Sequence, residues 1–205
     1  MKGERQILFY KDYFISFYQS LSEGAQRKLD YSLAMLKLQE RVSKKFVKFI
    51  RDGIYEVRAN HDGNIYRAFF IFDDGNIVML FNGFQKKTQK RRKAKLRKQF
   101  RLKTNIMQER NDIGSFDAIL DKKYGKIGTQ KREEFHREAY AYCMGRMLME
   151  ARKQESMSQS ELAAKVGTNK TYISRIERGL IEPGIGMFCQ IANALGMRLE
   201  MVKSM

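Results

Sequence analysis

Two Asp-Gly turns constrain this chain more than any other feature. HDGN at 61–64 and DDGN at 73–76 separate three apolar runs, IYEVRAN, IYRAFFIF and NIVMLF. Asp-Gly between such runs is a strong short-range hairpin signal, so the stretch predicts an antiparallel meander. A four-residue HDGN connection pairs Asn60 with Ile65 and therefore sets Arg58 opposite Arg67. Treating DDGN the same way pairs Phe72 with Ile77 and Arg67 with Asn82, and the same parity carried onward brings Lys86 to the arginine face. The other face then holds Tyr55, Val57, Ala59, Tyr66, Ala68, Phe70, Phe72, Ile77, Met79 and Phe81, nearly all apolar, which helices must cover.

Like charges directly opposed across a ladder are destabilising by a fraction of a kcal/mol. Arg58 opposite Arg67 therefore predicts an anion between them, a candidate phosphate clamp. Glu56 shares that face and is expected to pair with an arginine rather than to catalyse. The strands run into QKKTQKRRKAKLRK, a cationic stretch read as a solvated RNA-docking patch centred on Lys90, Arg91, Arg92 and Lys93. The charge is unevenly distributed: residues 1–110 carry 25 Lys+Arg against 11 Asp+Glu, whereas residues 111–205 carry 15 against 12. The first half is built for a polyanion. His61 is its one histidine, and its place in a turn favours a geometric role over a catalytic one; Tyr66 projects to the core face.

ILFY at 7–10 predicts a first strand, and Leu29, Leu33 and Leu36 form one stripe of a following helix. VSKKFVKFIRDG predicts a short basic helix stopped at Gly53. The apolar pattern lapses around IMQERNDIGS, which places a linker at 107–113 after a first domain of residues 1–106. Residues 114–145 predict a helical leader broken between Gly125 and Thr129, and 146–205 a run of short helices punctuated by Gly167, Gly179 and Pro183. The expected class is α+β, with an all-α second half. Cys143 and Cys189 lie far apart with no CxxC or histidine-rich spacing, so they read as small buried hydrophobes, and no metal site or cofactor is expected. No apolar run approaches a membrane span and no signal peptide opens the chain, which predicts a cytoplasmic protein.

Within the second half, Ser158 followed three residues on by Glu161 has capping-box spacing, and Gly167 stops that helix. A second start at Thr168 opens TNKTYISRIERG, with Ile173 and Ile176 facing inward and Gly179 ending it. Two short helices joined by a tight glycine turn are a helix-turn-helix. The order Gln159, ELAAKVG, SRIERG and a following small helix resembles the Cro/repressor-type (XRE) DNA-binding domain. That resemblance implies phosphate contacts from Gln159 and Arg175. It also implies base-edge readout from the helix start at Thr168 through Asn169, Lys170, Thr171 and Ser174, by a homodimer on operator DNA.

The meander, its DDGN hairpin and LFNGFQKKTQK make residues 3–105 resemble RelE/ParE-superfamily toxins of the HigB-like branch related to phage Gp49 proteins. SFDAILDKKYGKIGTQKREEFHREAYAYC is similar to the leader of the matching HigA-like antitoxins. These are usually two chains, toxin first; here Met107 stands where an antitoxin would begin, within one frame. The resemblance implies a RelE-like antiparallel sheet and a type II toxin-antitoxin module. Its toxin half would cut mRNA at the ribosome without a metal, and its antitoxin half would restrain the toxin and repress the operon. Arg58 and Arg67 would stabilise a phosphorane-like transition state, with Lys86 or Lys87 in proton transfer or strand holding. Two rival readings are a transcription regulator whose basic first domain only adds affinity for nucleic acid, and a ParE-like toxin that poisons gyrase.

Overall fold

The computed structural model describes residues 5–38, 47–73, 77–85 and 112–198. Lys86, Lys87, Lys90, Arg91, Arg92 and Lys93, six of the expected site residues, lie outside them. The fold is α+β: a mixed, mainly antiparallel sheet with helices, then an all-helical region. It divides into two compact units at His136/Arg137.

The first unit runs β1 (Gln6–Tyr10), α1 (Tyr13–Gln19), α2 (Glu23–Leu38), β2 (Val47–Arg51), β3 (Ile54–His61), β4 (Asn64–Asp73), β5 (Ile77–Gln85), β6 (Ile113–Ser115) and α3 (Phe116–Tyr124). The six strands are ordered β2-β3-β4-β5-β1-β6, with β1 parallel to β5 and every other pair antiparallel. The β3–β4 register is the expected one, with Asn60 opposite Ile65 and Arg58 opposite Arg67. Asp62 and Gly63 both have positive φ, the geometry that a two-residue turn twisting with its strands requires.

Two expectations fail here. Residues 47–51 are an edge strand, not a helix: Val47 and Phe49 pair with Val57 and Tyr55, and Asp52-Gly53 forms a second positive-φ hairpin turn. Asp-Gly can stop a helix or turn a hairpin, and here it turns one, as HDGN does. The β4–β5 register differs by one residue from the start of β5, where Asp73 rather than Phe72 faces Ile77, and by one more at a bulge, where Phe70 faces Leu80 but Phe69 faces Asn82, so Arg67 lies opposite Phe84 rather than Asn82. A one-residue shift exchanges faces. Met79 and Phe81 therefore join Ile54, Phe69, Ile71 and Tyr10 in a core cluster on the arginine side of the sheet. Val57, Ala59, Ala68 and Phe70 keep the expected face and are fully buried. That face lies under the helices: a side chain at Gly83 would strike Phe17 of α1, and Ser32 of α2 donates to the Arg58 carbonyl oxygen at 3.2 Å.

The helix α4 (Gln130–Gln154) begins in the first unit and ends in the second, which continues with α5 (Gln159–Lys165), α6 (Lys170–Glu177) and α7 (Ile185–Ala194). Residues 113–136, expected to be the end of a linker and most of a leader, fold with the first unit. Their apolar residues Phe116, Leu120, Tyr124 and Phe135 are buried there. The second core gathers Leu148, Leu162, Ile173, Ile176, Ile191 and Leu195. Gly145 of α4 packs directly on the Ile176 carbonyl oxygen, an approach that any side chain would block. Among the described residues no helix is long and apolar enough to cross a membrane.

Candidate nucleic-acid interface

In the second unit the capping box forms as expected. The Glu161 backbone N–H donates to Ser158 Oγ at 3.1 Å, and the Ser158 N–H donates to Glu161 Oε2 at 2.6 Å. The Ser158 backbone N–H holds the Glu161 carboxyl below its usual range. Gly167 at φ 68 turns the chain from α5 toward α6. The cap of α6 is Asn169, whose side chain accepts from the Tyr172 N–H at 2.8 Å. Thr168 therefore stands just before the helix, half-buried, while Asn169, Lys170, Thr171 and Arg175 are exposed and Ser174 is partly so. Ile173 and Ile176 face inward. A short helix thus presents Lys170, Thr171 and Arg175 from a rigid, capped start.

Gln159, expected to hold a phosphate, also makes an internal contact. Its Nε2 donates to Glu177 Oε2 at 2.8 Å, and the same buried carboxylate accepts Arg152 Nε at 2.5 Å and a second guanidinium N–H at 2.9 Å. Arg152 also donates to the Met157 carbonyl oxygen at 2.6 Å, and Glu177 pushes its pKa up. This network ties the entry of α5 to the end of α6 and fixes the angle between the two helices. Glu177 and Arg152 carried no signal in the sequence beyond being charged residues within apolar stripes.

In the first unit the anion predicted between the two arginines is the Glu56 carboxylate. Arg67 donates to both of its oxygens at 2.6 and 2.9 Å, and Arg58 Nε donates to Oε1 at 2.6 Å. Glu56 is 2% exposed, Arg67 9% and Arg58 32%. The expected pairing of Glu56 holds, and it satisfies the opposed charges internally. Arg67 Nε is buried with no partner among the described residues, a donor the carboxylate does not use. His61 is not brought into a catalytic arrangement by its contacts: its imidazole lies against Gly24 at the start of α2, 3.2 Å from the Asp62 carboxylate.

A second polar cluster has no counterpart among the residues singled out from sequence. Asp30 of α2 is fully buried, and its Oδ2 accepts from Tyr18 Oη at 3.0 Å, Tyr124 Oη at 2.6 Å and Lys123 Nζ at 2.9 Å. Burial pushes the Asp30 carboxyl up, against the opposing pull of Tyr124, Lys123 and Tyr18, and burial beside Asp30 pushes both phenols up. The available signal was one acid set among Leu29, Leu33 and Leu36 on an otherwise apolar stripe.

Residues 16–103 match the family model described as "Phage derived protein Gp49-like (DUF891)", and residues 148–202 match the helix-turn-helix family. An uncharacterised HTH-type transcriptional regulator of Sinorhizobium fredii is 44% identical over 52 residues, 25% of this chain. The chain spans about a quarter, 26%, of that relative's length. The restriction-modification controller protein C.AhdI of Aeromonas hydrophila is similar at 28% identity over 30% of this chain and 88% of its own, with a TM-score of 0.29.

Proposed function

We propose that this chain, a Gp49-like domain followed by a helix-turn-helix domain, is a toxin-antitoxin module of the HigB and HigA kind in one polypeptide. The second unit binds operator DNA as a homodimer and represses its own operon. The first unit cuts mRNA at the ribosome, by attack of a ribose 2′-hydroxyl on the adjacent phosphate, which breaks the bond to the next nucleotide's 5′-oxygen, releases that nucleotide's 5′-hydroxyl and leaves a 2′,3′-cyclic phosphate. The observation that carries the reading is the capped recognition helix α6, with Lys170 and Thr171 exposed in its first turn, in one frame with a Gp49-like segment. For the cutting step, Arg58 is the accessible cation and meets the phosphate, while Arg67 holds Glu56 and offers its buried Nε. Lys86 or Lys87 moves a proton or holds the strand, and Lys90, Arg91, Arg92 and Lys93 dock the RNA.

A second reading, a regulator whose basic first domain is not catalytic, is favoured by the Glu56 carboxylate, which already occupies the place between the two arginines. Inducing residues 1–106 without the rest and mapping cellular message ends by primer extension separates the readings. Discrete breaks that require translating ribosomes are the expected result, and Arg58→Ala removes them. DNA damage instead of message breaks points to a gyrase-type toxin, and soluble protein with neither effect overturns the toxin reading.

A further inference from the structure

The Gp49-like match ends at residue 103, yet the compact first unit continues to His136. The added segment is held at three places. Its strand β6 extends the sheet at β1, with Leu8, Phe9 and Tyr10 opposite Ser115, Gly114 and Ile113, and the Lys11 N–H donates to the Asp112 carbonyl oxygen at 2.8 Å. Gly114 is required there because the Phe9 ring lies where a side chain would begin. Ser115 caps α3, and Phe116 is buried edge-on against Phe14 and Tyr18, with centroids 5.5 and 5.4 Å away. At the far end Lys123 and Tyr124 converge on Asp30, and Tyr124 stacks on Phe135 at 4.0 Å.

We propose that residues 113–136 are a docking strap and that the β1 edge with the α1/α2 face is its receptor, keyed by Asp30 to a partner bringing an ammonium and a phenol side by side. The assignment of this strap to the restraining, DNA-binding half rests on the toxin-antitoxin reading above; the docking surface does not. Apolar shape alone would accept many helices. A buried carboxylate does not, because stripped of its cation it becomes an uncompensated charge in an apolar setting. Without the strap, Asp30 retains only Tyr18 among these three donors. The same carboxylate has its other oxygen, Oδ1, buried and without a partner among the described residues. Asp117 adds a polar register mark, accepting from the Ile7 N–H at 3.4 Å and pairing with Lys37 at 3.1 Å. The occupant is this segment of the same chain.

The test uses the full chain with a protease site inserted after Met107. Once cut, the two pieces are expected to co-elute at micromolar concentration, and their dissociation constant can be read by dilution. Asp30→Asn and Lys123→Met, each breaking a buried charge pair, are each expected to weaken association at least ~30-fold. The double variant is expected to be no weaker than the worse single, since it removes both charges together. Tyr124→Phe keeps the stack and removes one hydroxyl, with an expected weakening of about fivefold to tenfold; it serves if the charge variants fail to fold before cutting. Pieces that separate in the parent protein, or singles that leave association unchanged, overturn the proposal. So does a double variant whose weakening is the product of the two singles. Ribonuclease activity does not enter this readout, so a chain that docks as described but cuts no RNA sinks the toxin reading alone.

Discussion

At the scale of single residues, the sequence showed which charges would meet and that Glu56 would pair with an arginine, but not that one carboxylate would serve both. Arg58 and Arg67 are opposed as the hairpin turn dictates, and the anion their repulsion predicted is carried by the chain itself on Glu56. Asp30 was invisible because its three donors come from α1 and from a helix more than 90 residues downstream. Ser158 and Glu161, by contrast, were legible because a capping box is a local motif with fixed spacing. Its pH behaviour follows from Glu161, whose carboxyl is held below its ordinary value of 4.5 by the Ser158 backbone N–H. A depressed acid contributes stability above its unfolded value and loses it as pH falls through its folded value. The Ser158 hydroxyl adds to that pull, so an NMR titration should show Glu161 titrating below 4.5 and rising only part of the way toward it in Ser158→Ala, which keeps the backbone N–H but loses the cap and costs about 1 kcal/mol by thermal unfolding.

At the scale of elements, three strands and the HDGN turn were legible because bounded apolar runs and Asp-Gly chemistry agree, and α6 because its two isoleucines and two glycines agree. β2 was not, since five cationic and apolar residues fit either period and the deciding partner, β3, is tertiary. β5 did carry one signal of close packing: Gly83, a glycine inside a strand, sits where Phe17 leaves no room for a side chain. The structure adds an internal contact to one of the residues expected to face DNA, Gln159, whose amide donates to Glu177. Lys170→Ala and Thr171→Ala should change sequence preference, and removing either base-reading side chain should weaken binding to the preferred site by about 1–3 kcal/mol. Gln159→Ala should weaken all sites together and also lower the melting temperature of the intact chain, because it strips a donor from buried Glu177. Electrophoretic shifts on specific and scrambled DNA, with thermal unfolding alongside, distinguish the two classes.

At the scale of the whole molecule, charge and fold divide at different points. The excess of cations lies before residue 111, whereas the compact unit closes at 136. If the first half engages RNA through about six phosphate neutralisations, affinity of the intact chain for random single-stranded RNA should fall roughly 10²- to 10³-fold between 50 and 200 mM salt. A slope near zero would mean that the cations do not touch the RNA. The β1–β6 pairing has a further consequence, which concerns time. β1 is made before the strand that covers its outer edge, which follows about a hundred residues later. At roughly 5–20 residues per second of synthesis, that edge is open to any neighbouring chain for about 5–20 s in each new molecule. Crowded translation of one message by several ribosomes therefore sets nascent copies side by side while each still lacks its own sixth strand.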